Sequence, residues 1–405
     1  MEQNNDYKKK ALFLIFIFGI ISLLGDVIYE GARSIYGPFT KTISMDIALV
    51  GFITGLAEFL GYFIRIISGY LSDKTKSPWI FTILGYGMLI SIPLLSLTGI
   101  WQIVSIFIIC ERIGKAIRSP AKDTILSQAT KRIGTGLGFA IHEAMDQIGA
   151  FLGPLLFSLL LIVGKNENSL SQYQFGFKIL WIPFIILMIS VIFAYLRFPN
   201  PEIFETQKQQ DNQDKLTKQF WLYSIFSFIT TLGFTSFVIL GYYFKEKNLI
   251  KEESIPFFYS IAMIVDAIVA LIVGKIYDNL KSGLKNEKAG LYLLIIIPLF
   301  TLILPFFVFT KNYILIITGI IMWGIVMGTH ETIMKSVIAD ITHLKKRGTG
   351  YGIFNSFYGL SMFLGSFILG LLYKININFI IFFIIIIELL SLLIYYILIK
   401  SLKNR

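Results

Sequence analysis

The chain has 405 residues, of which 55% are hydrophobic and only 15% charged, with a mean hydropathy of +0.73. Soluble domains carry about 25% charged residues and no long apolar runs. A string of soluble domains is therefore excluded, and the length divides instead into about twelve helix-plus-loop units of about 34 residues. The net charge of +11 would suit nucleic acid in a soluble protein, but membrane proteins collect Lys and Arg in cytoplasmic loops, so no nucleic-acid partner is expected.

Apolar runs able to cross a ~30 Å hydrocarbon core predict transmembrane helices over 11–37, 46–71, 79–98, 101–127, 135–163, 177–197, 219–244, 254–276, 289–309, 312–339, 348–373 and 377–400. The runs are apolar all round, which excludes barrel strands of alternating polarity. The first run follows Lys8-Lys9-Lys10, is too long for a cleavable signal, and is expected to end at Gly37-Pro38. The single cysteine, Cys110, lies inside the fourth run and reads as core, with no disulfide. The polar stretch Asn200–Lys218 reads as a solvated connector. It divides the chain into an N-terminal six-helix half (1–199), a cytoplasmic linker (200–218) and a C-terminal six-helix half (219–405).

With the N-terminus inside, the inner segments hold 19 Lys and Arg and the outer loops 8, which places both termini in the cytoplasm of a multi-pass cell-membrane protein. The Lys245–Lys251 cluster is the local exception.

The halves echo each other. "GYLSDKTKS" (Gly69–Ser77) follows the second span and "GKIYDNLKS" (Gly274–Ser282) the eighth; "RIGTGLGF" (Arg132–Phe139) is matched by "KRGTGYGI" (Lys346–Ile353). Parallel six-span repeats are a plan of secondary transporters that bind substrate near the midplane. Gly69-x-x-x-Asp73-Lys74 resembles the loop signature of the major facilitator superfamily, with Thr75-Lys76-Ser77 in place of its usual Gly-Arg-Arg ending. "GAFLGP" (Gly149–Pro154) resembles the Gly-x-x-x-Gly-Pro signature of its antiporter branch, without the trailing glycine pair. "ERIGKAIRSPAKD" (Glu111–Asp123) and "GFAIHEAMDQIGAFLGP" (Gly138–Pro154) are similar to a little-characterised bacterial and archaeal group of efflux permeases within that superfamily. The resemblance implies an all-α fold of twelve transmembrane helices in two pseudo-symmetric halves. It also implies a cytoplasmic latch at Gly69, Asp73, Lys74, Asp123 and Asp278, and a helix pivot at Gly149, Gly153 and Pro154.

Ionisable groups inside a bilayer are unfavourable by ~2.5–3.5 kcal/mol or more, usually pair, and mark function. In the first span Asp26, Glu30 and Arg33 share one helical face. Arg112, Lys115 and Lys122 line a face of the fourth span, which also carries Arg118; His142, Glu143 and Asp146 lie in the fifth. Asp26, Arg112 and Asp146 are expected at similar depth. Asp26 and Asp146 are the leading proton-binding candidates, with Arg112 as counter-charge and Glu143 as a further coupling candidate. Glu30 and Arg33 lie shallower and suit an outer gate; with Lys115, Arg118 and His142 they are substrate-cavity candidates. The second half has Phe234 where the first has Asp26, so the acidic load is expected mainly in the N-terminal half.

The chain lacks a Gly-x-x-x-x-Gly-Lys-Ser/Thr loop and a His-Glu-x-x-His pair. Three histidines and one cysteine offer little for zinc. No cofactor, metal or enzymatic activity is expected. The reading is a monomeric secondary transporter in the lipid bilayer, exchanging protons for a small organic or amphipathic substrate. Uptake or exchange of an anion on Lys115 and Arg118 is the alternative, and a membrane-embedded enzyme or a transport-like sensor are more distant ones.

Overall fold

The structure, a computed structural model, describes residues 2–130, 135–163, 169–200, 216–283, 289–342 and 347–403. Among these residues regular structure is helical throughout, in twelve spans. They are α1 (Glu2–Thr42), α2 (Ile47–Thr75), α3 (Pro78–Leu97), α4 (Trp101–Thr130), α5 (Thr135–Val163) and α6 (Ser169–Arg197). The second six are α7 (Lys218–Glu246), α8 (Ser254–Gly283), α9 (Gly290–Val308), α10 (Tyr313–Ile341), α11 (Arg347–Ile375) and α12 (Ile377–Lys403). Eleven are long and apolar enough to cross a membrane. The other, α4, has the length, but from residue 111 onward it carries Glu111, Arg112, Lys115, Arg118, Lys122 and Asp123. Most of the connector and the loop with Lys131 and Arg132 lie outside the described residues.

Three helices depart from the sequence expectations. First, α1 does not stop at Gly37-Pro38 but runs to Thr42. Proline removes one backbone donor, and neighbouring hydroxyls occupy carbonyls around it: Thr40 Oγ1 donates to Tyr36 O at 2.7 Å and Thr42 Oγ1 to Pro38 O at 3.0 Å. Second, α6 begins at Ser169 rather than 177, because Tyr173 and Phe177, one turn apart, are fully buried. They pack on Phe39 with ring centroids 5.9 and 5.1 Å away. Third, α7 is interrupted. Its first segment ends at Gly233, Phe234 is extended, and helix resumes at Phe237. Non-helical backbone at membrane depth persists only where protein satisfies it; here Trp323 Nε1 donates to Thr235 O at 2.9 Å, and Phe234 stacks on the Trp323 ring.

Packing divides the chain into two compact units. One comprises Met1–Ser44, Leu60–Gln209 and Glu252–Ser260; the other comprises Met45–Phe59, Gln210–Lys251 and Ile261–Arg405. This follows the six-plus-six division except that the first turns of α2 and of α8 are exchanged. Within the first unit, the exchanged segment is tied down by Tyr173 Oη donating to Glu252 Oε2 at 2.9 Å and Ser158 Oγ to Glu253 O at 2.6 Å. Tyr259 Oη donates to Glu30 Oε2 at 2.6 Å.

Within the second unit, Gly55 lies so close to α11 that a Cβ there would be 2.9 Å from Phe363 O. At the start of α2, Asp46 accepts the Ala48 N–H at 2.9 Å and pairs with Lys374 at 3.0 Å. Partial burial would lift the Asp46 carboxyl, but these hydrogen bonds outweigh it and hold the group below the usual carboxylate range.

Candidate functional site: a charged cluster on α1, α4 and α5

Two glycines set the geometry of the first unit. A Cβ on Gly153 would lie 2.5 Å from Val27 O and 2.8 Å from Gly31 N, and one on Gly149 would lie 2.8 Å from Asp26 Cβ. The backbones of α1 and α5 therefore touch along the Gly149–Pro154 motif, which only residues without side chains allow. Asp26 sits directly over Gly149, and Asp146 is one turn earlier on α5, on the same face.

The charges acting most strongly on Asp26 are Asp146, Lys115, Glu30 and Lys122. Two half-buried carboxylates thus lie near two half-buried lysines from α4. Lys122 Nζ donates to Ser22 Oγ at 3.4 Å, and Lys115 Nζ donates to Tyr29 Oη at 2.8 Å. Arg112, expected as the counter-charge, is paired with the residue before it. Arg112 Nε lies 3.3 Å from Glu111 Oε2, and its charge acts on Glu30. Helical spacing set Arg112 and Lys115 on one face but did not settle which amine reaches the aspartates.

Glu30 is buried between Arg33, 3.5 Å from its Oε1, and the Tyr259 hydroxyl. His142 Nδ1 lies 3.4 Å from Asp146 Oδ2, while Glu143 is exposed. Arg118 donates to Gly85 O at 3.5 Å and lies 4.8 Å from the centre of the Tyr86 ring. Around the Tyr29 ring stand Lys115 at 4.0 Å, Arg112 at 5.7 Å and Arg118 at 6.0 Å. Cations over an aromatic face are favourable by ~0.5–2 kcal/mol when desolvated, so Tyr29 gathers three positive charges at one point.

The residues of the implied latch are spread out. A Cβ on Gly69 would meet Pro120 at 3.4 Å, ordinary contact, and its repeat partner Gly274 would meet Thr332 at the same 3.4 Å. Lys74 is exposed, 5.9 Å from the Tyr70 ring. Asp123 and Asp278 are exposed, and the Asp73 side chain lies outside what the structure describes. In the second repeat the contacts to α10 come from beside Asp278: Tyr277 Oη and Lys281 Nζ reach Asp340 Oδ2 at 2.7 and 2.8 Å.

Sequence reasoning missed four residues. Tyr29 and Tyr259 were hidden among 20 tyrosines, and only their hydroxyl partners single them out. Asp266 and Glu388 are buried carboxylates of the second half. Their signal was available: each is the lone charge in a long apolar run. The acidic load is accordingly less one-sided than the comparison of Asp26 with Phe234 suggested. Among the described residues, no group of three or more His, Cys, Asp or Glu could hold a metal ion.

The sequence pattern of the Major Facilitator Superfamily matches residues 11–366. An uncharacterized protein of Mycobacterium tuberculosis is 34% identical over 383 residues, covering 93% of this chain and 90% of that protein. An uncharacterized MFS-type transporter of Methanocaldococcus jannaschii is 26% identical over 388 residues, covering 93% and 92%. Among solved structures, a POT family transporter bound to 5-aminolevulinic acid superposes with TM-score 0.75 at 11% identity, covering 96% of each chain. A bacterial homolog of the human lysosomal transporter Spinster gives TM-score 0.73 at 13% identity, covering 97% and 98%. These structures share the fold: an all-α membrane architecture of two six-helix halves. The family match, the apolar helices and the repeated halves together make this chain a multi-pass membrane transporter for a small molecule, a member of the major facilitator superfamily.

Proposed function

We propose that this transporter exports a small organic or amphipathic molecule in exchange for protons, with Asp26 and Asp146 as the proton-binding pair. The observation that carries the reading is their placement. Both lie where α1 and α5 touch at Gly149; Lys122 acts on both, and Lys115 on Asp26. Two acids that share a half-buried site with movable amines can exchange a proton for a salt bridge when the local packing changes. Glu30, Arg33 and Tyr259 form the outer gate in this reading. Arg112 acts through Glu30, His142 orients Asp146, and Glu143 sits at the exposed margin. Gly149, Gly153 and Pro154 are the pivot; Gly69, Asp73, Lys74, Asp123 and Asp278 belong to the latch. In this reading the protein is a monomer in the cell membrane with 200–218 linking its halves, and the bias of basic residues supports both termini in the cytoplasm.

A second reading rests on the three cations around Tyr29: an anionic solute bound by Lys115 and Arg118. A thermal-shift screen of an organic compound library, run on the purified protein at two pH values, separates the two. A ligand that binds the folded state raises the melting temperature by mass action. Proton exchange predicts neutral or cationic ligands whose stabilisation is stronger at the higher pH, where the acids are vacant. Ligands that are all anionic, or that stabilise equally at both pH values, contradict it.

A further inference from the structure

Glu388 stands apart from the charged cluster. It is the only charged residue between Lys374 and Lys400, lies near the middle of α12, and is fully buried. The helices packed on α12 are α7, α9 and α11. None brings it a charge: α7 is uncharged between Lys218 and Lys245, α9 throughout, and α11 between Arg347 and Lys374. Tyr223 of α7 stacks on Phe354 at 5.3 Å, and Tyr358 of α11 lies 6.3 Å from the same ring.

The carboxyl oxygens are unequal. Oε2 accepts Thr230 Oγ1 at 2.8 Å. Oε1 has no hydrogen-bond partner, and it lies 2.6 Å from where a Cβ on Gly233 would sit. Gly233 is the last residue before the interruption of α7. The free oxygen is therefore aimed at the C-terminal end of a helical segment, where the last carbonyls lack intrahelical partners. Ser391, one turn along α12, adds a buried hydroxyl without a hydrogen-bond partner.

A lone carboxylate in an apolar interior is strongly unfavourable unless a cation joins it. A metal ion would take about six oxygen ligands, whereas the side-chain oxygens brought together here are those of Glu388 and Thr230. We propose that Glu388 is a proton-binding site of the second unit. Its Oε1 takes up a proton from water and donates that O–H to the carbonyl end of the first segment of α7. The interruption at 234–236 supplies the means of release, since loosening this end exposes the acid to water. Participation in transport rests on the proton-exchange reading above; the binding site itself does not.

Infrared difference spectroscopy on the wild-type protein in lipid vesicles tests it, with no substrate present. The expected result is a protonated-carboxyl band at neutral pH that is lost reversibly at alkaline pH, is absent from Glu388→Gln, and shifts in frequency in Thr230→Val. The Thr230 variant keeps the test decisive where Glu388→Gln does not fold. A band unchanged in Glu388→Gln and Thr230→Val overturns the proposal. So does one that persists at every pH at which the protein stays folded, or one that disappears when choline is replaced by sodium at fixed pH. Asp26→Asn is expected to leave the band in place, so failure of coupling at Asp26 and failure of this site are read separately.

Discussion

Asp26→Asn and Asp146→Asn are each expected to abolish accumulation of substrate driven by a pH gradient while sparing exchange of substrate for substrate. Asn has the shape of the protonated acid but cannot release a proton. Each variant is thus held in one protonation state; Lys122 loses a carboxylate in both, and Lys115 in Asp26→Asn. Glu30→Gln should behave differently. Glu30 is held by Arg33 and Tyr259, so its loss should change the rate of opening in both flux modes and leave their pH dependence intact. Flux of the same labelled ligand in vesicles, with and without a pH gradient, reads all three variants. Full coupling in both Asn variants would remove the proton assignment.

Gly153→Leu is expected to be the most damaging substitution outside the charged groups. A side chain there must enter the space of Val27 O and Gly31 N. Backbone atoms cannot rotate aside, so α1 and α5 must separate along the face that carries Asp26 and Asp146. Overpacking a tight interior is destabilising by ~1–3 kcal/mol, and the shift also breaks the geometry of the pair. Both the melting temperature in detergent and gradient-driven flux should fall. Gly69→Ala is the control: its Cβ would meet Pro120 at ordinary contact distance, and its stability should stay near wild type. An unchanged melting temperature for Gly153→Leu would show that the two helices do not depend on this contact.

Most of the architecture was legible because hydrophobicity over twenty residues is a strong signal, and α1 to α12 fall close to the apolar runs. The glycines of the Gly149–Pro154 motif were legible too, since small residues one turn apart read as a close helix contact. Less visible was anything decided by which side chain reaches across. Spacing placed Arg112, Lys115 and Lys122 on α4, but only packing shows that the lysines act on Asp26 and that Arg112 turns to Glu111. The interruption of α7 has no proline to announce it, and it is held by the indole of Trp323 from another helix. Proline alone suggested an end at Pro38, yet α1 continues to Thr42. Glu388 was legible as the lone charge of its apolar run, but its partner Thr230 on another helix was not.

The most direct test of proton exchange is transport itself. Purified protein is reconstituted into sealed vesicles with an acidic lumen and a more alkaline exterior, and a labelled ligand from the thermal-shift screen is added outside. Proton exchange predicts accumulation above the external concentration as protons leave, abolished by a protonophore. Equilibration that stops at equal concentrations, with or without the gradient, would contradict it.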